Sequence, residues 1–261
     1  MAGLAGANIL ILSRLTFLNA LRERFYKGLF FLLAFFFVFA FYLTVLSLAE
    51  PERVLLEVGF LSILLTGVLL IFYFGIFEFK RQEESRGIHI FLSKPISRQT
   101  YILGHLLGVT GVLWIYTGVA VLLLLGVYAI LFGHAIPGGF GAFVQVSLEL
   151  LLLNVLALFS SVLFSSSIVS VFAFLSLFVI GHSLAEARAL VQTAARPATQ
   201  FATETLYYLF PSFNHFNFSS LVVYKESFST LQWCMIAGYC AVYSLVFLAL
   251  SLFLFNRKEI E

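Results

Sequence analysis

The sequence predicts an all-α, polytopic membrane protein with six transmembrane helices, and three observations carry that prediction. Of the 261 residues, 61% are hydrophobic and only 11% charged, against roughly 25% charged in an ordinary soluble domain. Mean hydropathy is +1.03, and no long polar stretch offers room for a separate soluble domain, so residues 1–261 read as one transmembrane domain. Apolar runs of the ~20 residues needed to cross a ~30 Å hydrocarbon core recur along the chain. The residue choice agrees: Phe occurs 32 times and Asp not at all, as expected where an ionised carboxylate near the bilayer centre costs ~2.5–3.5 kcal/mol. A net charge of +2 is too small to suggest a nucleic-acid partner.

In chain order, the first element is a helix over about residues 5–27. Leu15, Leu18, Leu21 and Phe25 recur at three- and four-residue intervals, with Thr16, Asn19, Glu23 and Lys27 on another face. That pattern predicts an amphipathic helix lying at the membrane interface. The N-terminus lacks the form of a removable signal peptide and is expected to be retained. Six spans follow, at about 28–49, 54–79, 102–132, 142–163, 168–184 and 231–255. The fourth and fifth are separated only by argument. Residues 142–184 contain no Lys or Arg, but as one helix they would reach ~65 Å, well beyond a single crossing. The serine cluster at Ser160, Ser161, Ser165, Ser166 and Ser167 is the expected turn. Residues 185–230, broken at Pro197 and Pro211, read as short external helices. Cys234 and Cys240 sit in one apolar stretch and read as free, packed thiols.

Orientation follows from Lys and Arg near the span ends. With the N-terminus inside, Arg14, Arg22, Arg24, Lys27, Lys80, Arg81, Arg86, Lys94, Arg98, Arg257 and Lys258 are cytoplasmic. Only Arg53, Arg188, Arg196 and Lys225 are outside, so eleven of the 15 basic residues favour both termini in the cytoplasm. The expected location is the inner or plasma membrane.

The one compact polar interruption lies between spans two and three. It combines charges at Lys80, Arg81, Glu83, Glu84 and Arg86 with an apolar patch of Ile88, Ile90, Phe91 and Leu92. Pro95 forbids helix continuation without a break, and Ser97 suits the N-cap of the next helix. A helix, a break and a second helix make a protrusion with an apolar knob, and exposed apolar clusters mark contacts. The segment therefore reads as a docking element.

Within the spans, Glu57, Gln145 and Glu149 are the polar residues that stand out. Gln145 and Glu149 share a face at i, i+4, and an intramembrane acid must be hydrated, protonated or partnered. These residues read either as a substrate or ion pathway or as helix packing, with Arg188 or Arg196 as the ion-pair partner in the packing case. External aromatics, Tyr207, Tyr208, Phe210, Phe213, Phe216, Phe218 and Tyr224, read as interfacial anchors. His182 and His215 carry only a slight suggestion of an external metal site, and no metal is expected.

The residues Glu84-Ser85-Arg86-Gly87, then Phe91-Leu92-Ser93-Lys94-Pro95-Ile96-Ser97-Arg98, then Tyr101-Ile102-Leu103-Gly104 resemble the signature of permease subunits of ABC-2 type ATP-binding-cassette transporters. The likeness extends to the six-span layout, and more loosely to the permease branch of nitrous-oxide-reductase maturation systems. His105 departs from it, standing where that family usually has Lys. The resemblance implies a dimer of permease copies or homologues forming a translocation pathway for export. Each would engage a separate cytoplasmic ATPase through Glu83, Glu84, Arg86, Gly87, Ile88, Phe91, Leu92, Pro95 and Arg98. It implies no cofactor on this chain, with ATP and Mg on the partner, and no enzymatic activity here. In agreement, no Lys follows a Gly anywhere in the sequence, so no phosphate-binding P-loop is present. A non-transporting scaffold that docks a cytoplasmic partner, or a proton-coupled carrier using Glu57 and Glu149, are the other functions the same residues allow.

Overall fold

The computed structural model describes residues 2–47, 49–84, 97–136, 138–194, 197–217, 221–223 and 228–257. Nine α-helices account for most of them, and no strand occurs among the described residues. Helix α1 spans Ala2–Arg22 and α2 spans Arg24–Leu46. They are separated at Glu23, whose extended backbone (φ −64°, ψ 140°) interrupts the helix. The next helix starts on Pro51, a residue suited to the first turn because its missing N–H has no intrahelical role there. It runs as α3 over Pro51–Leu70, passes through a π-helical turn at Ile71–Phe77 and continues as α4 over Glu78–Glu84.

Helix α5 covers Arg98–Phe132, a length of 35 residues. Its start and stop have clear causes. Ser97 accepts a hydrogen bond from the Thr100 amide at 3.2 Å, as expected of an N-cap, and Gly133 ends the helix in the left-handed conformation (φ 76°) that side chains resist. The remaining helices are α6 (Gly139–Leu163), α7 (Ser167–Ala194), α8 (Pro197–Leu209) and α9 (Thr230–Arg257), with a 3₁₀ turn at Phe213–Phe216.

Six helices among the described residues are long and apolar enough to cross a membrane: Arg24–Leu46, Pro51–Glu83, Arg98–Phe132, Gly139–Leu163, Ser167–Val191 and Thr230–Arg257. The expected turn between the fourth and fifth falls at residues 164–166. Ser160 and Ser161 instead stay helical, bonding back to the Leu156 and Ala157 carbonyls. The fifth helix outruns its expected end at residue 184 by ten residues. That extension is polar, but its helix-favouring Ala, Leu, Glu and Arg residues keep it wound.

Helix α6 is the axis of the bundle. The central window of α6 is 78% buried and that of α3–α4 67%, against 22–33% for the others. From Leu152 through Leu158 every residue of α6 is buried, the mark of a helix surrounded on all sides. Helices α5, α7, α9 and the π turn pack around it.

Helix α1 packs along α5 with a face the sequence pattern does not single out. Leu12 and Ala20 are buried and Thr16 lies between them, whereas Leu15 stays 45% exposed. The cause is a shallow groove at Gly104 and Gly108. A Cβ on Gly108 would lie 2.8 Å from the Ser13 carbonyl oxygen, and one on Gly104 would lie 2.6 Å from the Leu12 Cβ. So close a backbone approach selects the edge at 12, 16 and 20 and turns Leu15 outward, while Leu21 stays partly buried against the core. Apolar helices gain no hydrophobic drive from one another in lipid, and small residues that allow close packing are the usual substitute.

Candidate coupling site

The α3–α4 helix and α5 form an antiparallel hairpin whose connecting link, residues 85–96, carries most of the expected docking element. Arg86, Gly87, Ile88, Phe91, Leu92 and Pro95 lie outside the described residues, as does the Glu84 side chain. The two anchors of the link are described. Glu83 accepts from the Lys80 ammonium at 2.8 Å, with Lys80 only 1% exposed. Arg98, at the start of α5, donates to the Phe255 carbonyl at 3.3 Å, joining this end of the hairpin to the last helix. Glu78 accepts from both Arg81 and Gln82 at 2.8 Å.

Between its ends the hairpin is held by three tyrosines of α5 that reach across to α3–α4. Tyr101 donates to the Gln82 side-chain oxygen at 2.8 Å. Tyr116 is hydrogen-bonded to Thr66 and donates to the Ile63 carbonyl at 3.4 Å. Tyr128 donates to Glu52 at 2.7 Å, and His134 lies 3.4 Å from the same carboxyl. All three tyrosines are buried, so each bond satisfies a group that would otherwise be costly in an apolar interior. Asn154 on α6 adds a brace, donating to the Leu106 carbonyl at 3.3 Å and to Thr110 at 3.1 Å.

The π turn sits inside this braced region. Its Ile71, Phe74, Gly75 and Ile76 are buried, and Phe25 from the start of α2 stacks on Tyr73 with ring centroids 4.0 Å apart. Below it, Phe79 packs against Tyr101, His105 and Phe255. Single π turns within α-helices concentrate at functional positions. Here the turn lies between the transmembrane part of the helix and the segment leading to the link.

The intramembrane polar residues separate into two groups. Glu57 pairs with Arg53 at 2.9 Å one turn away, and Arg53 also meets Glu50 at 3.2 Å. Arg53 and Glu57 lie in the first two turns of α3, partly exposed, and Glu50 caps its start, so the geometry of Glu57 is that of a helix-start ion pair. Glu149 is buried and meets His182 Nε2 at 3.0 Å. Of the two expected arginine partners, Arg188 lies elsewhere, 3.8 Å from Glu204 and over the Tyr207 ring at 4.5 Å; Arg196 lies outside the described residues. Gln145 is fully buried one turn from Glu149, with no hydrogen-bond partner for its amide among the described residues.

Phe213 and Phe216 are buried, packed against His182 and Tyr239 respectively, and so act as packing residues, while Tyr208 remains exposed. Phe218 and Tyr224 lie outside the described residues. His215 packs at a tilt against Tyr239, and burial pulls its pKa below the ordinary histidine value. No cluster of three or more metal-ligating residues occurs among the described residues. Cys234 is exposed, Cys240 is buried, and both are free.

The sequence model of the family described as ABC-2 family transporter protein matches residues 10–260. The chain belongs to the ABC-2 transporter family. The match spans nearly the whole of this ABC-2 protein, from α1 to the C-terminal end of α9. It makes the chain an integral, multi-pass transport component with the character of a permease and without catalytic machinery of its own. No curated protein matches this ABC-2 chain.

Proposed function

We propose that this chain is the transmembrane subunit of an ATP-driven exporter, that it works as a dimer with a second permease copy or homologue, and that it couples to a separate cytoplasmic ATPase through Glu83–Arg98. The observation that carries the reading is the hairpin. Its two helices are tied at three levels by buried tyrosine hydrogen bonds, and the link with the apolar residues Ile88, Phe91 and Leu92 leaves from its tip. A force applied to that tip would move a braced pair of helices as a body. ATP and its Mg²⁺ belong to the partner in this reading, because the sequence contains no Gly-Lys pair from which to build a phosphate loop. The excess of basic residues flanking the link supports a cytoplasmic side for it and for both termini.

Replacing Phe91 and Leu92 together by Ser is expected to release the ATPase while leaving the spans inserted. Detergent pull-down with the ATPase checks this, and undiminished binding would remove the docking assignment. Reconstitution separates transport from scaffolding: a transporter raises the ATPase turnover of its partner and moves cargo, whereas a scaffold retains the partner without either.

A further inference from the structure

The imidazole of His182 on α7 makes two contacts that together fix how many protons it shares. Its Nδ1 lies 3.0 Å from the Phe178 carbonyl, one turn back, and its Nε2 lies 3.0 Å from the Glu149 carboxyl on α6. A carbonyl oxygen only accepts, so Nδ1 must carry a hydrogen to bond it. Nε2 and Glu149 then need one further proton between them, on the nitrogen or on the carboxyl. With that proton the pair is neutral overall and both bonds are made. Without it a carboxylate faces the bare lone pair of Nε2, and moving the remaining hydrogen to Nε2 only transfers the clash to the Phe178 carbonyl. A second proton, at lower pH, leaves both bonds intact because a protonated carboxyl keeps an accepting oxygen. The contact is thus complete at low pH and loses one bond as pH rises. The Glu149 side chain is 4% exposed and that of His182 36%, so the imidazole is the member through which the proton can exchange.

The other titratable and charged groups on the elements packed around the pair are engaged elsewhere. On α8, Glu204 and Tyr207 meet Arg188. On the 3₁₀ turn, His215 packs against Tyr239 of α9, and its Nε2 lies 3.4 Å from the Tyr207 hydroxyl. On α9, Cys240 donates to the Leu148 carbonyl and Tyr243 to the Tyr208 carbonyl. Arg53 and Glu57 of α3 pair with each other, the α5 tyrosines bond α3–α4, and Tyr73 of the π turn stacks on Phe25. Glu186, one turn beyond His182, is exposed.

The same imidazole is also a seat for the segment before α9. Its ring centroid lies 4.8 Å from that of Phe213, and a Cβ on the adjacent Gly181 would lie 2.8 Å from the Pro211 carbonyl oxygen. The Ser212 amide donates to Tyr239 at 2.7 Å, tying the segment to α9 as well. The seat belongs to the half of the bundle away from the link, since Tyr239 stands ~24 Å along α9 from Phe255, the partner of Arg98.

We infer that Glu149 and His182 form a one-proton site whose occupancy fastens the Pro211–Phe216 segment against α6 and α7. With the proton in place the imidazole is fixed at both nitrogens and seats Phe213. When the proton leaves to water, the imidazole is released on one side and the seat loosens. The site rests on the geometry of the pair and the seat, and it stands whether or not the chain couples to an ATPase.

The test uses the full chain in nanodiscs, with Cys234→Ser and Cys240→Ala removing the native thiols. Ser212→Cys places one thiol in the seat, at a fully buried side chain whose hydroxyl has no hydrogen-bond partner among the described residues. Labelling by a hydrophilic maleimide is followed from mildly acid to mildly alkaline pH. Each rate is divided by that of the same protein carrying Glu149→Gln, which cancels the ionisation of the thiol itself. Glu149→Gln offers an amide N–H to Nε2, so its contact needs no shared proton. The ratio is expected to rise about tenfold with pH, equivalent to ~1.4 kcal/mol. His182→Gln, a second variant without the titrating pair, should serve equally as the reference, and Glu57→Gln should keep the rise. A ratio flat with pH against both references would overturn the site. A rise lost in Glu57→Gln would assign the proton to α3 and overturn it equally.

Discussion

Glu149 and His182 are the pair on which a single substitution should have the largest local effect. His182→Leu removes the hydrogen-bond partner of a buried carboxyl and supplies no other, whereas Glu149→Gln keeps the shape and retains an acceptor toward the imidazole. An orphaned buried polar group costs about 1–3 kcal/mol, so His182→Leu is expected to lower the detergent unfolding midpoint more than Glu149→Gln. The double variant should recover part of the loss. Equal midpoints for the two single variants would show that the 3.0 Å contact contributes nothing specific. Glu149 was legible in the sequence because an acid well inside an apolar run is conspicuous, but its partner was not. Residue 182 is 33 positions away on the next helix, and its level is set by where the 164–166 turn ends. Arg188, the expected partner, lies six residues further along α7, a rise of ~9 Å past the carboxyl. Charge pointed to the arginine, and helix geometry chose the histidine.

The packing of α1 on α5 gives the sharpest test of an element. Gly108→Leu puts a branched side chain where even a Cβ would lie 2.6 Å from the Thr16 Cβ and 2.8 Å from the Ser13 carbonyl, so α1 must move off the groove. Limited trypsin digestion is expected to cleave at Arg14 and Arg22 faster in this variant. Gly126→Ala, on the same helix but with nothing within 4 Å of the added methyl, should digest at the wild-type rate. Matching rates for Gly108→Leu and wild type would mean that α1 is not held by the groove. The helices themselves were readable from run length alone, since a lipid-spanning stretch needs about 20 apolar residues whatever its neighbours. The orientation of α1 was not readable. Its Leu15, Leu18 and Leu21 stripe is the more hydrophobic face, but the glycines that select the opposite edge sit nearly ninety residues downstream, at 104 and 108. The tyrosines of α5 were hidden for a related reason. At about 100° per residue, positions 101, 116 and 128 do not share a face of a straight helix, so no periodicity groups them. Only their partners, Gln82, Thr66 and Glu52, reveal them as one set of braces.

At the scale of the whole molecule, the braces mean that the α3–α4 and α5 pair should move as one body between the link and the opposite end at Glu52. The layout of the molecule supports this: the central helices α3 and α6 are the most buried, and the hairpin is joined to α9 at its tip through Arg98 and Phe255. An ATPase acting on the link would then displace the hairpin against its neighbours without sliding its two helices past each other. A disulfide between them can test this. A Cβ on Gly59 would lie 2.5 Å from a methyl carbon of Leu124, close enough for Gly59→Cys with Leu124→Cys to approach the ~3.8 Å Cβ separation of a disulfide. Cys234 and Cys240 would first be replaced by Ser and Ala, so that only the engineered pair can oxidise. If the hairpin is rigid, the oxidised and reduced proteins should stimulate the partner ATPase and transport cargo at closely similar rates. Activity lost on oxidation and restored by reductant would show instead that α3 and α5 shear during the cycle. In that case the π turn, lying between the Thr66–Tyr116 and Gln82–Tyr101 contacts, would be the place where the hairpin yields.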